Sequence, residues 1–132
     1  MALFNSMAAN AATRLPPCPD SPNCVSSLAT DAGHKIAPFR IIGPPERAWA
    51  MLKQALRQQA RTVITEDNAT VLHAQTSSLI FRFVDDIDAM LDDEMGLIHI
   101  RSASRVGYSD FGVNRKRLEN LRLQLQKQQV IE

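Results

Sequence analysis

The chain has 132 residues, 45% of them hydrophobic and 22% charged, with a formal net charge of +1. That is the profile of one ordinary globular domain, not of a disordered chain. No stretch approaches the roughly 20 apolar residues a bilayer span requires, and so even a charge balance argues against wholesale binding of nucleic acid.

Residues 1–15 are Ala/Asn-rich and unpatterned and read as a disordered tail. Asn5, Ser6 and Asn10 interrupt the apolar residues and the first basic residue is Arg14, unlike a secretory signal, so a cytoplasmic protein is expected. Residues 16–132 form a single domain, entered through the segment 16–35, whose Pro, Ser, Asn and Asp are too dense for a helix or a central strand. Cys18 and Cys24 lie in that segment. Two thiols with no Cys or His cluster cannot complete a tetrahedral zinc site, and their spacing is not that of a redox pair. A disulfide closing so small a loop is geometrically possible, but in a reducing cytosol two reduced structural cysteines are expected.

Ile36 to Ile42 reads as a first strand, edge-like because of Pro38. After Gly43-Pro44-Pro45, the spacing of Ala48, Trp49, Leu52, Ala55 and Leu56 predicts an amphipathic helix to about Gln59. Glu46 and Arg57 suit its dipole. Short strands follow at Arg61 to Thr65, Thr70 to Ser77, Leu79 to Asp86 and Gly96 to Ser102, with Ile87 to Leu91 as a further short one. A second helix runs from Val113 to about Gln129, with Leu118, Leu121 and Leu125 as its apolar stripe. Successive strands joined by short turns must be antiparallel. The expected fold is therefore α+β: an antiparallel sheet with two helices packed on one face, in the order strand, helix, strands, helix.

Strand alternation assigns Leu72, Ala74, Thr76, Leu79, Phe81, Phe83, Ile98, Ile100 and Ser102 to the helix-covered face. The other face then carries His73, Gln75, Arg82, Asp86, His99 and Arg101. His73 and His99 are the candidate catalytic bases, since imidazole exchanges protons near neutral pH, and arginine holds carboxylate or phosphate bidentately. An uncovered sheet face is also normally polar with no function attached. Two His and one Asp make no recognisable metal site, and no phosphate loop or dinucleotide motif is present, so no metal and no cofactor are expected.

The neutral total conceals two opposed blocks. Asp85, Asp86, Asp88, Asp92, Asp93 and Glu94 form an acidic run that lacks the frame of a calcium loop, whereas Arg101 to Lys127 is basic. The blocks either pair within the fold or leave the basic helix (Arg115, Lys116, Arg117, Arg122, Lys127) for an acidic partner or lipid surface. Between the last strand and the last helix runs Arg101-Ser102-Ala103-Ser104-Arg105-Val106-Gly107-Tyr108-Ser109-Asp110-Phe111-Gly112-Val113-Asn114-Arg115. Its Ser102, Ser104, Arg105, Tyr108 and Arg115 join Arg82, Asp86 and Arg101 as candidate anion-binding residues, because helix-start N–H groups beside Arg and Ser suit an anion. Ser109 or Asp110 capping the helix would satisfy the same N–H groups.

This motif, together with Cys18-Pro19-Asp20-Ser21-Pro22-Asn23-Cys24-Val25-Ser26-Ser27 and Phe81-Arg82-Phe83-Val84-Asp85-Asp86, resembles the hallmark segments of domain-of-unknown-function family 1499. The similarity covers roughly residues 16–127. The family occurs in bacteria and plastids and many members are exported or lipid-anchored, but the resemblance implies no reaction or ligand. The favoured expectation is a small binding or accessory protein that engages an anionic small molecule or a protein partner through the polar sheet face and the Arg/Ser loop. The alternatives are a small hydrolase with a His/Arg site on that face, and a surface module working through the basic helix.

Overall fold

The computed structural model describes residues 15–107 and 112–132. Six strands form one antiparallel sheet: β1 (Cys24–Ser26), β2 (Phe39–Arg40), β3 (Thr62–Asp67), β4 (Val71–Ser77), β5 (Val84–Asp92) and β6 (Leu97–Ser104). The helices are α1 (Pro45–Gln58) and α2 (Val113–Lys127). The spatial order is β1-β6-β5-β4-β3, with β2 also pairing β6 beyond the end of β1. The α+β fold and the helix–sheet layering follow the sequence expectation.

Helix α1 starts where proline costs nothing, in the first turn, with Glu46 at its positive end and Arg57 at its negative one. The residues that recur at three-four spacing, Ala48, Trp49, Leu52, Ala55 and Leu56, are its buried set. They meet Leu118, Leu121 and Leu125 of α2 and the inward residues Leu72, Ala74, Ile87, Ala89, Ile98 and Ile100 of the sheet in one core. The chain end returns to that core through Val130 and Ile131, Ile131 bridging Ile41.

Three expectations are corrected. The first strand is not Ile36 to Ile42, of which only Phe39–Arg40 is strand β2; it is β1, which lies inside the Pro/Ser-rich segment at an edge position beside β6. Leu79 to Phe83 is no strand but the tip of the β4–β5 hairpin, closed by Ser78 N–H to the Phe83 carbonyl (2.8 Å) and Phe83 N–H to Ser78 Oγ (2.9 Å). Leu79, Phe81 and Phe83 therefore stand in the open instead of in the core, and β5 continues unbroken to Asp92. The alternation looked strand-like because this turn has no Gly, Pro or Asn. Arg82 itself takes the left-handed conformation, at φ +58°. Third, Cys18 and Cys24 form a disulfide in place of two free thiols. Of the expected N-terminal tail, residues 1–14 lie outside the described residues, and Leu15 is buried.

Candidate functional site

Pairing register places Ser26, Arg101, Asp88, His73 and Glu66 in one cross-sheet row on the face away from the helices, with Asp86 and Gln75 in the next row. Short cross-strand distances convert this row into an ion-pair ladder. His73 Nδ1 lies 2.6 Å from Asp88 and Nε2 lies 3.2 Å from Asp86. Arg105 grips Asp86 with two 2.9 Å bonds. Arg101 reaches Asp88 at 3.4 Å and donates to the Pro17 carbonyl at 3.3 Å. The hydrogen bonds from Arg105 hold the Asp86 carboxyl below its ordinary range against the opposing effect of burial, and Asp86 raises Arg105 in return. His73, Arg101 and Arg105 on this face already face carboxylates, and segment 15–23 crosses part of it through Pro17 and the disulfide.

His99 faces a different partner. Its Nδ1 is 3.0 Å from Ser27 Oγ, which also accepts the Ile100 N–H at 2.9 Å. Burial pulls the His99 imidazole below its ordinary value, which favours a neutral ring. The pair has the composition of a base and a nucleophile. Ser27, however, is only 2% exposed, so no substrate reaches its hydroxyl. His34 is raised by the Ser21 carbonyl and by Asp31, and it ties the first motif to the turn at 31–34.

A second polar cluster is buried at the C-terminal end of β6. Asn114, fully buried, accepts from Ser102 Oγ (2.6 Å) and from Arg117 (2.8 Å) while donating to Ser104 Oγ (2.9 Å) and to the Asn23 carbonyl (3.1 Å). Arg117 continues to Asp85 at 2.7 Å. This knot joins the Cys-rich segment, the start of β5 and the start of α2. Ser102 and Ser104 are thus committed to internal bonds.

Beside the knot, at the β4–β5 end of the sheet, a groove of about 630 Å³ opens between the hairpin tip and the connection after β6. Leu79, Phe83, Val106 and Val113 supply its apolar lining, Arg61 a cation, and Asp85 and Arg117 its paired charges. Among the described residues, Arg61 spends only its Nε, on the Ser77 carbonyl.

A family model described as "Protein of unknown function (DUF1499)" matches residues 14–125, from the segment before β1 almost to the end of α2. The chain belongs to that family. No curated protein and no solved structure matches it. Within this DUF1499 chain, the three segments that carried the resemblance meet at one place: Asn23 from the first, Asp85 from the middle one, and Ser102, Ser104 and Asn114 from the last are all members of the buried knot or touch it.

Of the residues singled out from the sequence, His73, Asp86, His99 and Arg101 do share the sheet face, and Arg105 joins them. Arg82 does not: it sits on the hairpin tip, because the strand expected there is a turn. Arg115 donates to the Lys35 (2.7 Å) and Gly33 (3.2 Å) carbonyls and so fastens α2 to the β1–β2 connection. Arg122 likewise bonds the Ala37 and Pro38 carbonyls and stacks over Phe39, 4.8 Å from its ring centre. With Arg117 also engaged, the basic helix spends three arginines inward and exposes Lys116 and Lys127. The N-cap position of α2 is Gly112 at φ +80°. Ser109, Asp110 and Tyr108 lie outside the described residues. Asp88, Asn23, Asn114, Ser27 and Arg61 were not singled out. Asp88 was legible, being two residues from Asp86 on one face, had the two short strands been read as one. The others needed contacts between distant segments.

Proposed function

We propose that this chain is a binding or accessory protein that takes an anionic ligand with an apolar body, held in the groove between the hairpin tip and the connection after β6. The observation that carries this reading is the apolar wall of Leu79, Phe83, Val106 and Val113 with the Arg61 guanidinium beside it, whereas His73, Arg101 and Arg105 of the polar sheet face are already engaged by Asp86 and Asp88. Pockets of this size and lining suit small molecules whose polar group fixes their orientation. The Arg/Ser connection still contributes, but through Val106 and Gly107 in the wall and Ser104 at the base, not through Arg105. Catalysis is less well supported: both nitrogens of His73 face carboxylates, so neither is free to take a substrate proton, and His99 is paired with an inaccessible hydroxyl. The Cys18–Cys24 disulfide supports work in an oxidising compartment, in place of the cytoplasm expected from the tail.

Thermal unfolding with decyl phosphate below its micelle concentration, and with inorganic phosphate, tests the groove. Decyl phosphate is expected to raise Tm and inorganic phosphate to leave it unchanged; a ligand at about 100 times its Kd adds about 2.7 kcal/mol. Val106→Asp is expected to abolish the rise without lowering the unliganded Tm, since Val106 is exposed. No rise with decyl phosphate, or an equal rise in Val106→Asp, refutes the reading.

A further inference from the structure

The strands run between two unlike ends. At one end, the β3–β4 and β5–β6 turns bring together Glu66, Asp92, Asp93 and Glu94, with Asp67 beside them already met by Lys53 and Arg57. At the other, the β4–β5 tip presents Leu79 (69% exposed), Ile80 (78%) and Phe81 (72%), with Phe81 stacked on Phe83 at 5.6 Å. Val106 and Val113 extend this apolar surface, and Arg61, Arg82 and Lys116 surround it, all three exposed. Among the described residues, the carboxylates nearest to this end, Asp85 and Asp86, are each already held by an arginine. Contiguous exposed apolar surface of this kind marks an interaction site.

We propose that the β4–β5 end docks the protein on an anionic lipid surface, with Leu79, Ile80 and Phe81 entering the interface and Arg61, Arg82 and Lys116 meeting the headgroups. Three features favour a lipid surface over another protein. The apolar residues crown a narrow hairpin tip, which sinks into a soft interface, whereas a stable protein interface engages roughly 20–30 residues a side. The rim is basic, and basic residues beside inserted apolar ones are what anionic headgroups reward. The acidic end lies opposite, so the charge layout orients the molecule with its tip toward a negative surface. Arg61 and Arg82 adopt φ of +56° and +58°, positions where glycine would be less strained, yet both carry a cation at this rim. The inference rests on the groove reading, because the groove opens at the same end and would face the leaflet that offers amphipathic anions.

Flotation with vesicles of phosphatidylcholine alone, and of phosphatidylcholine and phosphatidylglycerol in equal parts, tests it. The protein is expected to float with the mixed vesicles only and to be released by added salt. The double variant Ile80→Ser/Phe81→Ser is expected to lower binding about tenfold or more, given the apolar surface removed. Arg82→Gly, which suits the backbone there, should lower it about fivefold. Met95→Ser, also an exposed apolar residue but beside Asp92 to Glu94, should leave binding unchanged. Absence of flotation, equal flotation on neutral vesicles, or an equal loss in Met95→Ser overturns the proposal, as does a concentration-dependent dimer abolished by the double variant. If decyl phosphate raises Tm while the vesicles capture nothing, docking fails and the groove reading stands. If neither responds, both fall.

Discussion

Asp85, Asp86 and Asp88 occupy the first half of β5, and each is held by a guanidinium: Arg117, Arg105 and Arg101 respectively. Asp92 closes the same strand and Asp93 and Glu94 follow it, and among the described residues none of these three makes an ion pair. One contiguous acidic block thus has two fates. In the middle of a sheet, a side chain has cross-strand neighbours about 5 Å away on its own face, and a carboxylate there must find a cation or be desolvated without one. At a turn, water solvates the same group. The paired half therefore belongs to stability, and the solvated half sets the long-range charge of one end.

The contrast can be attacked from its most buried point outward. Asn114→Ala removes the amide that serves Ser102, Ser104, Arg117 and the Asn23 carbonyl at once, and is expected to cost about 4 kcal/mol in chemical denaturation. A loss below about 1 kcal/mol would mean that water replaces the knot. Next, Asp88→Asn strips the charge partner from Arg101, which is only 9% exposed, and is expected to cost about 3 kcal/mol. Asp93→Asn, from the same run, should stay within about 0.5 kcal/mol. Equal effects would erase the distinction between the halves.

The smallest effect concerns pH. The folded Asp86 carboxyl is held below its ordinary value of 3.8, first by Arg105. A carboxyl lowered on folding stabilises fully above the unfolded value, and that contribution is lost as pH falls through the folded one. The stability advantage of the native chain over Arg105→Gln should therefore be constant above pH 3.8 and shrink below it. Urea midpoints measured across acid pH check this. An advantage that grows on acidification would show that Arg105 acts through something other than Asp86.

Much of the fold was readable from local pattern. The helix at Pro45–Gln58, its buried face and its proline start are all short-range facts, and so is the alternation of Leu72, Ala74, Ile98 and Ile100. The polar face was readable in part, because His73, Asp86, His99 and Arg101 obey the period of two. The hairpin tip was not. Leu79, Ile80, Phe81 and Phe83 have the composition of a buried strand, and only the pairing of Ser77 with Val84 forces them outward.

What the sequence determined by itself was the layer arrangement, the family and the existence of two charge blocks, since periodicity, motif order and charge are properties of neighbours along the chain. Tertiary structure decided how those charges are used. It set Asp85, Asp86 and Asp88 against arginines 13 to 32 positions away. It bound Asn23 to Asn114 across 91 positions. It also left an apolar, basic tip opposite an acidic end. Register is the physical reason: a hydrogen-bonded sheet fixes which distant side chains share a face, and hence which charges are neutralised and which remain to meet a partner.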